Sequence, residues 1–336
     1  MTSPIFIYNF AKKNLMKKVL GIGNALVDLM TQIDNDNVLN DLDLPKGSMQ
    51  LVDRNVSEKV INKTKHLKRS IASGGSAANT IHGLARLGVE TGFIGKIGKN
   101  EMGTYFREDM IKSGISPLLL ESDSDSGVAV ALVSPDGERT FATFLGAAIE
   151  LSADDLNEDM FKGYDILHIE GYLLQNYALI ETACNFARNQ GLLISLDLAS
   201  FNVVESHRDF LAYIAKEFAD IIFANEEEAK AMTGRQPEDA LQHIAEWCDI
   251  AIVKIGKEGS LIKTNGETTK VEAIQTVVTD TTGAGDLYAS GFLFGVLNDY
   301  SMEECGRIGT LLAKNVIEQM GAKIPDEVWD EIANEL

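Results

Sequence analysis

The chain has 336 residues, 45% hydrophobic and 24% charged, with a mean hydropathy of -0.02, an ordinary globular composition that excludes collagen, mucin and wholesale disorder. Fifty Asp and Glu against thirty Lys and Arg give a net charge of -20 and a pI near 4.6, so nucleic acid and anionic membranes would meet a repelling field. No apolar run approaches the ~20 residues of a membrane span, and three scattered cysteines, Cys184, Cys248 and Cys305, form neither a disulfide framework nor a zinc pattern, which points to a reducing cytoplasm.

Residues 1–15 have mixed polarity, no long apolar segment and no small-residue cleavage site, so they read as a disordered extension, with Met16 a second start site just before Lys17 and Lys18. The apolar run 19–23 predicts a first strand, and Asp28 follows Leu26 and Val27 near a strand exit. Gly74 and Gly75 open a small-residue helix over 76–87 that Gly88 closes, and 91–97 is strand-like. Two β-prone runs, 127–133 and 140–145, flank Ser134-Pro135-Asp136-Gly137 and predict a hairpin. From Asp165 onward, short apolar runs at 166–169, 193–196, 221–223 and 251–255 alternate with helix-length segments, as in a parallel sheet covered on both faces. Helical patterns over 287–297 and 302–320 end the chain. No linker or repeat divides it, so the expectation is one α/β domain over 16–336 carrying a small β insertion.

Two glycine signals mislead. Gly21-Ile22-Gly23 lacks the third glycine of a dinucleotide fingerprint, whose place Leu26 takes, and Gly95-Lys96 lacks the remainder of a Walker A loop. The informative segment is Asp280-Thr281-Thr282-Gly283-Ala284-Gly285-Asp286, directly before a helix. Gly283, Ala284 and Gly285 let the backbone pass close to a ligand and aim amides at a phosphate. Asp286, in the first helical turn, is placed to take the proton of a hydroxyl attacking a phosphoryl group. Helix capping explains Asp286 alone, but not the three small residues together with Asp280.

This segment resembles the C-terminal signature of the ribokinase-like (PfkB) carbohydrate kinases. Gly74-Gly75-Ser76-Ala77-Ala78-Asn79-Thr80 is similar to the family's N-terminal signature, 21–28 (GIGNALVD) to its opening strand, and Asn225-Glu226-Glu227-Glu228 to its N-x-x-E motif. The motifs keep the family's order from about Met16 onward. The resemblance implies an α/β fold with a mostly parallel central sheet flanked by helices, a small β-sheet lid built from about 28–52 and 126–146, and phosphoryl transfer from ATP.

Residue by residue, the resemblance assigns Asn24, Asp28, Gly74, Gly75 and Asn79 to the acceptor, and Asn225, Lys254, Gly256, Gly259 and Thr281 to the nucleotide. It implies that Asn225 and Glu228 order Mg²⁺ through its waters, and that Asp280, the Thr282 carbonyl and Gly321 hold K⁺. Competing readings are local: Asn79 bonded to helix neighbours, Asn225 and Glu228 as a helix cap, Asp280 as a turn acceptor, Lys254 solvated. Arg139-Thr140, Phe144-Leu145-Gly146-Ala147 and 47–53 (GSMQLVD) resemble adenosine kinases, in which that Arg reaches toward the transferred phosphate; a solvated hairpin Arg139 is the alternative. Phe141, Phe144, Met49 and Leu145 would then wall a purine. The implied reaction is phosphorylation of a nucleoside 5'-hydroxyl, adenosine to AMP, with a ribose or fructose kinase and a noncatalytic nucleoside sensor as alternatives. The implied partner is a small nucleoside or sugar, with no nucleic acid and no membrane, on a monomer or homodimer.

Overall fold

The computed structural model describes residues 17–336; the expected extension 1–15 and the start at Met16 lie outside the described residues. Nine strands form the large sheet. From one edge they are Glu267–Val271, Ser260–Thr264, Ile250–Lys254, Ile221–Asn225, Leu193–Asp197, Ile166–Glu170, Lys18–Ile22, Glu90–Gly98 and Ile115–Ser122. All neighbours pair in parallel except the last two at the 267–271 edge, which pair antiparallel.

The central strands are short because both of their faces must be apolar. Ile166 and Leu167 are fully buried and point into opposite cores, and full burial of such a side chain contributes about 1.5–3 kcal/mol. One face is covered by helices Tyr177–Gln190, Phe201–Glu217, Glu226–Thr233 and Pro237–Ile244. The other is covered by Ser76–Arg86, Glu101–Lys112, Ala284–Leu297 and Met302–Ile317.

A second sheet takes its strands in the order Met49–Leu51, Arg139–Phe144, Gly127–Val133, Leu26–Gln32 and Arg69–Gly74. Helix Arg54–Thr64 packs on one face of it through the fully buried Val60. The expected hairpin is present, with the Gly137 amide donating to the Ser134 carbonyl at 2.9 Å. Arg69–Gly74 is an addition to the expected lid segments. Its sequence, RSIASG, has no alternation to betray a strand, yet it pairs with Leu26–Gln32 so that Gly74 lies opposite Leu26. The last long helices also differ from expectation: one begins at Ala284 instead of 287, and the next stops at Ile317 instead of 320.

Candidate active site

The carboxyl ends of the parallel strands open into a cleft, the place where an open α/β sheet meets its ligands. Four of those ends carry a polar or charged residue after an apolar run: Glu170, Asp197, Asn225 and Lys254. The N-termini of helices Ser76–Arg86 and Ala284–Leu297 converge on the same cleft.

Asp286 joins those two helices. Its Oδ1 accepts from the Ser76 hydroxyl at 2.7 Å and its Oδ2 from the Asn79 Nδ2 at 2.9 Å. Burial pushes the Asp286 carboxyl up to about 6, with Asp197 adding to the rise while Asn79, Ser76 and Lys254 restrain it. A carboxylate tuned close to neutrality suits proton abstraction from a hydroxyl. Directly before it, Gly283 caps the helix in the left-handed region (φ 77°), and a Cβ there would lie 2.6 Å from that of Ala322. Only glycine makes this turn, and the turn presents the amides of the first helical residues.

On the nucleotide side, a cavity of about 610 Å³ is lined by all five residues expected there, Asn225, Lys254, Gly256, Gly259 and Thr281, together with Ala284 and Gly285. The segment 273–278 and Thr310, Ala313, Lys314 and Ile317 close its far wall. Lys254 is not solvated. Its Nζ lies 3.2 Å from Asp197 Oδ2, and a Cβ at Gly285 would sit 3.0 Å from it. Burial alone would lower the ammonium, but Asp197, Glu228 and Asp286 outweigh it and raise Lys254 above its ordinary value.

Asn225 and Glu228 form a reciprocal capping box: the Glu228 amide donates to Asn225 Oδ1 at 2.8 Å, and Glu228 accepts from the Asn225 amide and Nδ2 at 2.8 and 2.6 Å. The helix-cap reading is therefore realised. Burial still pushes Glu228 up to about 7, against the pull of Lys254. No cluster of three or more His, Cys, Asp or Glu able to hold a metal occurs among the described residues. Both Glu228 oxygens already accept from Asn225, so an ion placed beside it would be reached through water, which suits Mg²⁺.

The acceptor side is built around Glu170. It accepts from the Asn24 amide at 2.9 Å, the Asn24 Nδ2 at 2.6 Å and the Ala77 amide at 2.8 Å, tying the first strand to the Gly74-Gly75 turn. Burial pushes Glu170 up to about 7, although the Ala77 and Asn24 donors favour its ionised form. Gly75 (φ 102°) passes so close that a Cβ would lie 2.1 Å from the Asn24 carbonyl oxygen, and one at Gly74 would meet the Asp28 carboxylate. Asp28 sits against this turn and accepts no hydrogen bond from the described residues; burial pushes it up to about 7, with Lys323 opposing and Asp286 adding to the rise.

Three expectations change. Arg139 is neither solvated nor extended toward a phosphate: its guanidinium pairs with Asp280 and Thr282 Oγ1. Asp280 also accepts from the Thr282 amide at 2.6 Å and the Gly321 amide at 2.8 Å, so the three residues expected around K⁺ do meet. In this arrangement the Arg139 guanidinium supplies the positive charge that the Asp280 carboxylate would otherwise take from the ion. The purine wall is also divided. Met49 and Phe141 are opposed in register, but Phe141 and Phe144, three apart, project to opposite faces of their strand. Phe144 and Leu145 instead border a separate groove of about 320 Å³ with Leu51 and Ile149.

Sequence reasoning missed Glu170, Asp197 and Lys323. A carboxylate ending an otherwise apolar strand was the available signal for the first two.

The model of the pfkB family of carbohydrate kinases matches residues 47–329. A probable sugar kinase from Rhizobium etli is similar in structure over 95% of this chain and 98% of its own, with 33% identity and a TM-score of 0.86. The adenosine kinase from Sinorhizobium meliloti is similar over 96% and 99%, with 32% identity and a TM-score of 0.85. In sequence, a 5-dehydro-2-deoxygluconokinase from Geobacillus kaustophilus is 30% identical over 262 residues, 73% of this chain and 78% of that protein.

Proposed function

We propose, for a chain that belongs to the pfkB family of carbohydrate kinases, that it moves the γ-phosphoryl group of ATP to the 5'-hydroxyl of a nucleoside, foremost adenosine, yielding AMP and ADP in purine salvage. The reading rests on Asp286, a carboxylate near neutrality set between the Gly283 turn and an acceptor pocket. Adenosine as the acceptor is supported by the likeness to the Sinorhizobium meliloti adenosine kinase over nearly the full length of both chains. Likeness to kinases named for sugars favours a sugar as the second reading.

Asp28 and Asn79 hold the acceptor so that one hydroxyl faces Asp286. Asp286 takes its proton as the oxygen attacks the γ-phosphorus. The bond from that phosphorus to the β–γ bridging oxygen breaks, and the electron pair leaves on ADP. Backbone amides of residues 283–285 and the Lys254 ammonium meet the negative charge that spreads over the phosphoryl oxygens. Magnesium, held through water at Glu228 and by the nucleotide itself, would neutralise phosphate charge. Arg139, paired with Asp280 and Thr282 in the loop just before the Gly283 turn, helps to hold that loop. The free thiols Cys184, Cys248 and Cys305 accord with a cytoplasmic enzyme.

An ADP-release screen with Mg·ATP tests the reading. Adenosine should give the highest kcat/KM against ribose, fructose and 5-dehydro-2-deoxygluconate. A higher value for any of the latter three overturns the nucleoside assignment while leaving the kinase chemistry standing.

A further inference from the structure

We infer that Lys323 is a specificity-determining residue of the acceptor pocket, working opposite Asp28 to hold one uncharged hydroxyl group between an ammonium donor and a carboxylate acceptor. The inference rests on the acceptor side of the proposed reaction, though not on adenosine itself.

The Lys323 Nζ is sealed from solvent and has no hydrogen-bond partner. An unpartnered buried ammonium is costly and does not persist without compensation. Three carboxylates from three elements, Asp109, Asp28 and Asp286, act on its charge and oppose the lowering that burial imposes. Two are already committed. Asp109 accepts from the Ser73 hydroxyl, and Asp286 from Ser76 and Asn79. Asp28 alone keeps both oxygens free of protein donors, and it forms no ion pair with Lys323. Lys323 can only donate and ionised Asp28 can only accept, and the two act on each other's charge without forming an ion pair. A hydroxyl satisfies both at once, giving its proton to Asp28 and receiving one from Lys323. The Asn79 Oδ1, also buried without a partner, adds an acceptor to the same pocket.

Charge selects the class of acceptor. One ammonium faces three carboxyl groups, and His82 nearby adds no positive charge, because burial first, then Lys323 and Arg86, drives it down to about 2. Arg86 itself pairs with Asp326. An acceptor bearing a carboxylate or a second phosphate would be repelled, whereas a neutral polyol is not. The position of Lys323 is fixed by its neighbours: the Gly321 amide donates to Asp280, and Ala322 packs against Gly283. The loop that sets the phosphate turn therefore also carries the acceptor's cation.

Kinetics of Lys323→Met and Lys323→Arg, with adenosine and its 2'-deoxy and 3'-deoxy analogues, test this. Lys323→Met should raise the adenosine KM on the order of tenfold or more, as for loss of a charge-assisted hydrogen bond. It should leave the ATP KM unchanged and shrink the preference over one deoxy analogue by the same factor. Its melting temperature should hold or rise, since a buried unpartnered charge is removed, and Lys323→Arg should recover most of the lost affinity. An unchanged adenosine KM, equal rises for adenosine and ATP, or undiminished discrimination against both analogues overturns the inference while the nucleoside reading stands. If ribose or fructose proves the acceptor, the nucleoside reading fails and the same comparison is read with that sugar and its deoxy forms. Preferential turnover of a sugar acid overturns the neutral-acceptor assignment. Should Lys323→Met not fold, Lys323→Gln carries the same readout.

Discussion

The two halves of the cleft treat their polar groups in opposite ways. On the nucleotide side the charged groups at the strand ends find partners: Asn225 and Glu228 close a capping box, Lys254 rests on Asp197, and most of the surface the cavity exposes is apolar. On the acceptor side Glu170 is fully engaged, but Asp28, the Lys323 Nζ and the Asn79 Oδ1 have no hydrogen-bond partner among the described residues. Preformed backbone recognises a phosphate chain common to every reaction of the family, so little has to change when the nucleotide arrives. Unsatisfied side chains instead penalise the empty pocket and reward only the ligand whose hydroxyls match them, which is how selectivity against close analogues arises.

Asp286 stands at the border of the two halves and belongs to neither. Asp286→Asn keeps its shape and removes the base, so turnover should fall on the order of 10² to 10⁴ with both KM values little changed. The pH profile sharpens this. The base acts deprotonated and its carboxyl lies at about 6, so wild-type kcat should hold above that pH and fall about tenfold per unit below it. The residual activity of the Asn variant should lack that limb. Turnover within a factor of about three of wild type would remove Asp286 from the base role.

The next largest effect separates the halves directly. Asp28→Ala removes a charged acceptor from the hydroxyl pocket, a loss of about 1.5–3 kcal/mol, or roughly ten- to a hundredfold in acceptor KM. Apparent KM for ATP should remain at its wild-type value, because the phosphate contacts are on other elements. Equal rises in both constants would show that the two halves are coupled and that the contrast in their polar groups has no separate energetic meaning.

Much of this arrangement was legible in the chain, and the reasons for the remainder are physical. The buried strands at 166–169 and 193–196 announced themselves because a parallel strand covered on both faces must be continuously apolar. Asp286 and its glycine turn were legible because small residues beside a carboxylate at a helix start have few other uses. The antiparallel pair Ser260–Thr264 and Glu267–Val271 went unread despite an available signal: Asn265 and Gly266 both take positive φ, 50° and 81°, the backbone of a two-residue hairpin turn. Ile115–Ser122 was masked by Pro117, tolerated because this strand is at the sheet edge. Lys323 carried no signal at all. A lysine in a loop is ordinarily solvated, and only the folded chain brings it among Asp28, Asp109 and Asp286. Arg139 was legible as a phosphate-side residue, but its pairing with Asp280 depends on how the second sheet meets the loop before Gly283.

That pairing supplies the smallest expected effect on rate and a third place to test the contrast, since it joins the acceptor-side sheet to the nucleotide-side loop. Asp280 is almost fully buried, and its carboxylate meets Arg139 as well as the amides of Thr282 and Gly321. With a guanidinium already supplying the positive charge, wild-type rates in KCl and NaCl at matched ionic strength should be the same. Arg139→Gln leaves the carboxylate without its cation, a loss that costs about 3–5 kcal/mol where a buried pair is broken. A monovalent ion would then have a vacant charge to neutralise, and the variant should gain a few-fold preference for K⁺ over Na⁺ together with a lowered melting temperature that added K⁺ partly restores. Steady-state rates and melting curves in both salts, for both proteins, read the outcome. A clear K⁺ preference in the wild type that Arg139→Gln leaves unaltered would mean that the ion and the guanidinium share the site, and would restore the cation at Asp280 that the sequence motif implies.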